Sequence, residues 1–341
     1  MDIRESRALK SAAAEKLGQA AYDPRKLALV HTGISLGAAF LIALVDFYLS
    51  HQIESTGGLS GMGMRSVLGT VQTTLQYALQ LALPFWEMGF VYASLQWARG
   101  ERADFSSLPE GFRRFGPVLR LRLLEGLLYF GAAIACLYVS ITVFSASPLA
   151  APLADKLMPL MENATVEQMQ QAISEIPVSE LADMMIPMFV IFGVLFLAAA
   201  LFLFYRFRMA NFVVMDQPKM SGLVALVISR RMTRGKRWAL LKLDLSFWWF
   251  YLLVALAMAV CYGDTLLGFV GVTLPVSEEV AWYGFYLLGM LVQLAVYWYG
   301  YSYVQTTYAI AYEELRQQLP VEEFLPKAKP QKLPWDTDNE E

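Results

Sequence analysis

The stretch ALPFWEMGF (residues 82–90) places a carboxylate, Glu87, and a helix-bending proline, Pro84, inside a long apolar run. Reading outward, the apolar character extends over about 72–97, and a bilayer takes roughly 20 such residues to cross. Five further runs of that kind lie at about 27–48, 117–145, 185–205, 239–262 and 281–309. Apolar residues make up 57% of the 341, and charged residues only 17%. Soluble domains carry about a quarter charged residues, and the mean hydropathy here is +0.43. The fold predicted is all-α: a polytopic membrane protein of six transmembrane helices, residues 1–315, followed by a polar, proline-rich tail at 316–341 expected to be disordered.

Basic residues set the expected orientation. Of 27 Lys and Arg, 25 fall in the N-terminal segment, the second and fourth connections and the tail, leaving Arg65 and Lys156 for the other side. The positive-inside rule then places both termini in the cytoplasm. The N-terminus is too charged and alanine-rich for a cleaved signal peptide. Cys136 and Cys261 fall within spans three and five, as small hydrophobes and not as a metal or disulfide pair.

A unit of amphipathic cytoplasmic helix, span, outer loop and returning span recurs three times, which suggests triplication. The first such helix is expected over about 3–20, with Asp23-Pro24 opening span one. The second follows SSLPEGFRRFGP, where Ser107 and Glu110 have capping-box spacing. The third is SGLVALVISRRMTRGKRW, capped by Ser221 and stopped near Gly235. The first outer loop, STGGLSGMGMRS, reads as a mobile linker. The long outer loop, 146–184, holds a helix-like TVEQMQQAISEI capped by Thr165 and Gln168, and a glycosylation sequon at Asn163.

Three stretches carry a family resemblance: MGFVYASLQWARGERADFSSLPEGFRRFG, MANFVVMDQPKMSGLVALVISRRMTRGKRWALLKLDLSFWW, and YVQTTYAIAYEEL. They resemble the bacterial six-span family called domain of unknown function 975, in its ARGE…FS.L..GF..FG and D.P..S.L.A…SR.M..GK.W.L..LDLSF blocks. The resemblance implies a bacterial plasma-membrane protein and no assigned activity. A weaker architectural likeness, to the membrane domain of some glycerophosphodiester phosphodiesterases, hints at lipid-related work.

No phosphate loop, HExxH, GxSxG elbow or intramembrane aspartate pair is present, so the chain is expected not to be an enzyme and to need no cofactor. On span two, Thr73, Gln76, Gln80, Glu87 and Ser94 share a narrow polar stripe, which lipid cannot satisfy. It reads either as a proton or substrate site of a transporter, or as a neutral Glu87 bonded to a neighbouring helix. Span six offers partners on one face: Trp282, Tyr286, Gly289, Gln293, Tyr297 and Gly300. Glu125 and Asp244 are expected in interfacial ion pairs near Arg122 and Lys242. Arg230, Arg231, Arg234, Lys236 and Arg237 follow an apolar LVALVI, a pattern suited to lying on an anionic leaflet. The expected partners are membrane lipids, anionic ones included. A net charge of −3 argues against nucleic acid. The leading expectation is a non-enzymatic, lipid-associated membrane accessory protein, with a transporter as its rival.

Overall fold

The computed structural model describes residues 6–55, 59–151, 178–217, 220–272 and 275–319. Every regular element among them is helical. Packing divides the chain into two units, Met1–Arg122 with Arg208–Glu341, and Leu123–Phe207.

The first unit is built on long helices. Helix α1 (Ser6–Gly18) leads to α2 (Pro24–Ser55) and α3 (Leu59–Arg99). Asp23 caps α2, its Oδ1 accepting from the Arg25 amide at 2.9 Å, so the expected Asp23-Pro24 start holds. Then come a 3₁₀ turn (Phe105–Ser107), the single turn α4 (Glu110–Arg113) and α5 (Phe115–Ser145), which begins in this unit. The second unit holds the rest of α5, a 3₁₀ turn at Pro148–Ala150 and α6 (Val178–Phe207). The chain re-enters the first unit through α7 (Ala210–Asp216), α8 (Gly222–Met232), α9 (Arg237–Leu245), α10 (Trp248–Cys261), α11 (Gly263–Phe269) and α12 (Glu278–Gln318). Helix α12 is the hub: α1, α2, α3, α8, α10 and α11 all pack on it.

Among the described residues four helical stretches are long and apolar enough to cross a membrane: Pro24–Val45, Phe115–Ser145, Met185–Asp216 and Val280–Gln318. A fifth exists if α9 and α10, bent by 61° across their junction, count as one. The expected straight span at 239–262 is therefore broken. The chain tightens to i−3 bonding there: Phe247 N donates to the Asp244 carbonyl at 2.9 Å, and Phe250 N to the Phe247 carbonyl at 2.9 Å. The Ser246 carbonyl turns to Lys10 Nζ, 2.6 Å away. The sixth expected span, 72–97, does form helix, as part of the 41-residue α3, but α3 is not among the four. Its Gln76, Gln80 and Glu87 dilute the apolar run.

Three expectations about connections change. The Gly/Ser-rich stretch read as a linker is helical from Leu59, because propagation from a formed helix costs far less than nucleation. The second amphipathic helix is replaced by the two short turns at 105–113. Ser107 is not the N-cap of a capping box: its hydroxyl bonds to Gln96 Oε1 at 2.7 Å, and Glu110 holds Arg113 at 2.5 Å. Asp104 caps this region instead, accepting from the Ser106 amide at 2.9 Å. The Thr165–Gln168 helix, the Asn163 sequon and the tail from residue 320 lie outside the described residues; α12 continues to Gln318, past the expected boundary at 315.

The sequence blocks behind the family resemblance fold into one close-packed end of this unit. Gly89 of α3 lies so near the following turn that an added Cβ would stand 1.7 Å from the Leu108 carbonyl oxygen. Gly111 is seated in the same way against the Phe85 carbonyl, at 1.8 Å, and Gly222 against the Leu121 amide, at 2.4 Å. Phe85 stacks on Phe115 at 4.7 Å, and Trp97, Leu108 and Met88 are fully buried.

Candidate functional site

The polar stripe of α3 is only partly enclosed. Thr73, Gln76, Gln80 and Glu87 are exposed, and the Thr73 hydroxyl is satisfied within its own helix by the Gly69 carbonyl at 2.8 Å. The stripe turns inward only at Ser94, which is fully buried and bonded to the Val91 carbonyl. Glu87, with half its side chain exposed, pairs with Arg122 of α5 at 3.5 Å. It also lies within electrostatic reach of Tyr297 and Tyr301 on α12. Gln293 and Tyr297 lie one turn apart on α12. Span six therefore brings Gln293 and Tyr297 to the neighbourhood of Glu87, while Thr73, Gln76 and Gln80 stand apart, farther along α3.

The small residues on the same α12 face serve a different neighbour. Gly289 abuts α10, where a Cβ would stand 2.3 Å from Cys261 Sγ, and Gly300 abuts Phe250. Tyr297 is held between Phe250 (5.7 Å) and Tyr301 (4.9 Å). Cys136 and Cys261 are both free thiols. Beside this aromatic column, His31 of α2 is buried among Trp86, Phe90 and Tyr301, with the Phe90 ring at 4.9 Å.

Helix α8 forms where expected, with Ser221 Oγ accepting from the Val224 amide and Gly235 in the left-handed region at φ 77°. Its two faces differ. Ala225, Leu226, Ile228, Ser229 and Met232 are buried, and α8 packs on α7 and α12. Leu223 (57% exposed), Val227, Arg230 and Arg234 recur at helical spacing on the outside, and Arg231 is exposed beside them. Lys236 and Arg237, at the start of α9, are half-buried, and Trp238 next to them is 75% exposed. The apolar residues of LVALVI thus divide between a protein-facing majority and a small outward pair.

Two ion clusters escaped the sequence reading. In the first, Arg99 at the end of α3 reaches Asp216 (2.5 Å) and Glu313 (2.6 Å). Arg316 reaches Asp216 at 3.3 Å, and the Tyr312 hydroxyl donates to it at 2.9 Å. Burial by itself would lower the Arg99 pKa, but Asp216 and Glu313 raise it overall, so the guanidinium stays charged. The Asp216 side chain is 3% exposed, so three groups surround an acid that water scarcely touches. In the second cluster Asp244 accepts from Arg208 (3.2 Å), Tyr251 (2.9 Å) and Tyr308. The expected Asp244–Lys242 pairing is thus corrected: Asp244 turns inward to Arg208. Arg122 also reaches across to Glu87. The partners lie too far apart in sequence, 117 residues for Arg99 and Asp216, for spacing to reveal them. The one available signal is that Arg99, Asp216 and Asp244 all fall inside the three quoted blocks. These clusters join elements that lie far apart in sequence. Among the described residues no group of three or more His, Cys, Asp or Glu is arranged to hold a metal.

No curated protein and no solved structure matches the chain. The family described as "Protein of unknown function (DUF975)" matches residues 2–319, nearly the whole length, and the chain belongs to that family.

Proposed function

We propose that this chain is a non-enzymatic, six-span protein of the bacterial plasma membrane, with both termini cytoplasmic, that associates with anionic lipid through the outer face of α8. The observation that carries the reading is the division of α8. One face is locked into the bundle, and the other presents Leu223 and Val227 together with Arg230, Arg231 and Arg234. An apolar pair flanked by cations suits the boundary between acyl chains and anionic headgroups, and each charge near such a surface is worth about 1 kcal/mol. Trp238, exposed one turn beyond Arg234, is the amphipathic ring that favours that depth. Embedding itself is supported by apolar exposure: only 11% of the Phe115–Ser145 window and 6% of the Met185–Asp216 window is buried. Surfaces of that size and character are unstable in water. In this reading α3 is a sixth span, polar on one side.

Transport is placed second. Glu87 is already matched by Arg122, which fits a fixed charge pair better than a carboxylate that must load and unload protons.

The test is lipid retention. The full chain, purified from a membrane containing phosphatidylglycerol and cardiolipin, is compared with the Arg230→Gln/Arg234→Gln variant by native mass spectrometry. Two charges at about 1 kcal/mol each predict roughly a 30-fold loss of retained anionic lipid. Equal retention by both proteins contradicts the proposal.

A further inference from the structure

The first unit contains a cavity of about 460 Å³ that neither α8 nor the Glu87 stripe touches. It lies where the end of α1, the start of α2, and the sides of α10 and α12 converge, lined by Asp23, Arg25, Trp249, Tyr299, Ser302 and Tyr303 among others. One side of it, from α10 and α12, is aromatic: Trp249 meets Tyr299 edge to face at 6.2 Å, and Tyr303 continues the surface one turn along. The Ser302 hydroxyl is used internally, bonded to the Pro24 carbonyl at 2.7 Å.

The remaining polar equipment is one acid and one base at the mouth. Asp23 and Arg25 are both exposed, and neither forms an ion pair among the described residues. One Asp23 oxygen caps α2 through the Arg25 amide, which leaves its other oxygen uncommitted. The Arg25 guanidinium stands over the Tyr299 ring at 5.8 Å. Backbone polarity matches this division: α1 ends here with its carbonyls, which favour a cation, and the 32-residue α2 begins here with its amides, which favour an anion. A ligand bearing only one charge leaves one of the two side chains opposed. A zwitterion with an ammonium for Asp23 and a phosphate for Arg25 suits both. Pro24 is also the first residue of a candidate span, and the aromatic wall continues along α10 and α12 into apolar helix. That is where a headgroup would sit with its acyl chains running inward.

We infer that this cavity binds a glycerophospholipid with a zwitterionic amine headgroup, of the phosphatidylethanolamine type. The site is separate from α8. The experiment therefore uses the full chain in an Arg230→Gln/Arg234→Gln background, so that success or failure at one surface does not mask the other. Phosphatidylethanolamine and phosphatidylglycerol of matched chains are titrated in detergent and followed by native mass spectrometry. The parent binds the ethanolamine lipid at least about tenfold more tightly. Asp23→Asn, which keeps a capping side chain, abolishes that preference. Arg25→Gln weakens both lipids, and Arg102→Gln, a substitution outside the cavity, changes nothing. Equal binding of the two lipids by the parent overturns the inference, and so does a preference that survives Asp23→Asn or binding that Arg25→Gln leaves unchanged. Displacement of the lipid by equimolar glycerophosphoethanolamine, which lacks acyl chains, overturns the assignment to a lipid. Melting curves identify any variant that has lost its fold, and either charge variant alone decides the matter.

Discussion

Replacing Gly89 with alanine adds a single carbon where the fold leaves none. The new Cβ would stand 1.7 Å from the Leu108 carbonyl oxygen, 2.5 Å from its carbon and 2.8 Å from its Cα. The obstacle is backbone, so no rotamer change relieves it. The turn after α3 must retreat by about 1.3 Å merely to reach 3.0 Å, a separation real Cβ atoms essentially never undercut. That turn is pinned by the Asp104 cap, by the Ser107–Gln96 hydrogen bond and by Gly111 against Phe85. Overpacking of this kind costs about 1–3 kcal/mol. Losing the Ser107–Gln96 bond adds about 1 kcal/mol, for an expected total of about 2–4 kcal/mol. Gly37→Ala in α2 is the control, since nothing lies within 4 Å of its Cβ position and alanine favours helix by about 0.5–1 kcal/mol. Thermal unfolding of the purified chain in detergent, followed by tryptophan fluorescence, should show Gly89→Ala melting several degrees below the parent and Gly37→Ala at or above it. A Gly89→Ala protein that melts with the parent refutes the reasoning that this sequence block encodes a close-packed end.

Asp216→Ala removes the acid shared by Arg99, Arg316 and Tyr312 and should cost about 3 kcal/mol in the same assay. Asp216→Asn, which keeps an acceptor for Tyr312, should fall between it and the parent. Glu87→Gln should change stability by less than about 1 kcal/mol, because its pair with Arg122 is 3.5 Å long and half-exposed; a large loss would show that the carboxylate carries more than this pair.

Hydropathy made much of the fold legible. The runs at 27–48, 117–145, 185–205 and 281–309 all lie within helices, which extend several residues beyond them at most ends because capped termini continue past the apolar core. The Asp23 and Ser221 caps were legible too, since capping is local chemistry. What escaped depends on distant partners. The break between α9 and α10 coincides with Asp244 and Ser246 turning toward Arg208 and Lys10, residues that no local pattern links to them. Ser107 and Glu110 have the spacing of a capping box, but Gln96 competes for the serine and Arg113 for the glutamate. The stripe on α3 is a row of polar positions in the sequence. Its surroundings were not readable: periodicity orients residues around a helix axis without saying which neighbour each side meets. The basic run on α8 shows the same limit, because its apolar residues divide between bundle and surface in a way that composition alone does not specify.

The most direct test of the central claim is the immersion depth of α8. A nitroxide is attached at Val227→Cys, on the exposed face, after Cys136 and Cys261 are replaced by alanine, and the full chain is reconstituted into vesicles. Relative accessibility to oxygen and to a water-soluble nickel chelate reports depth. Seating on the leaflet predicts a label at the headgroup–acyl boundary in phosphatidylglycerol vesicles, and a shallower one when Arg230 and Arg234 become glutamine. A label as accessible to the nickel chelate as a free aqueous nitroxide, with or without anionic lipid, contradicts the account.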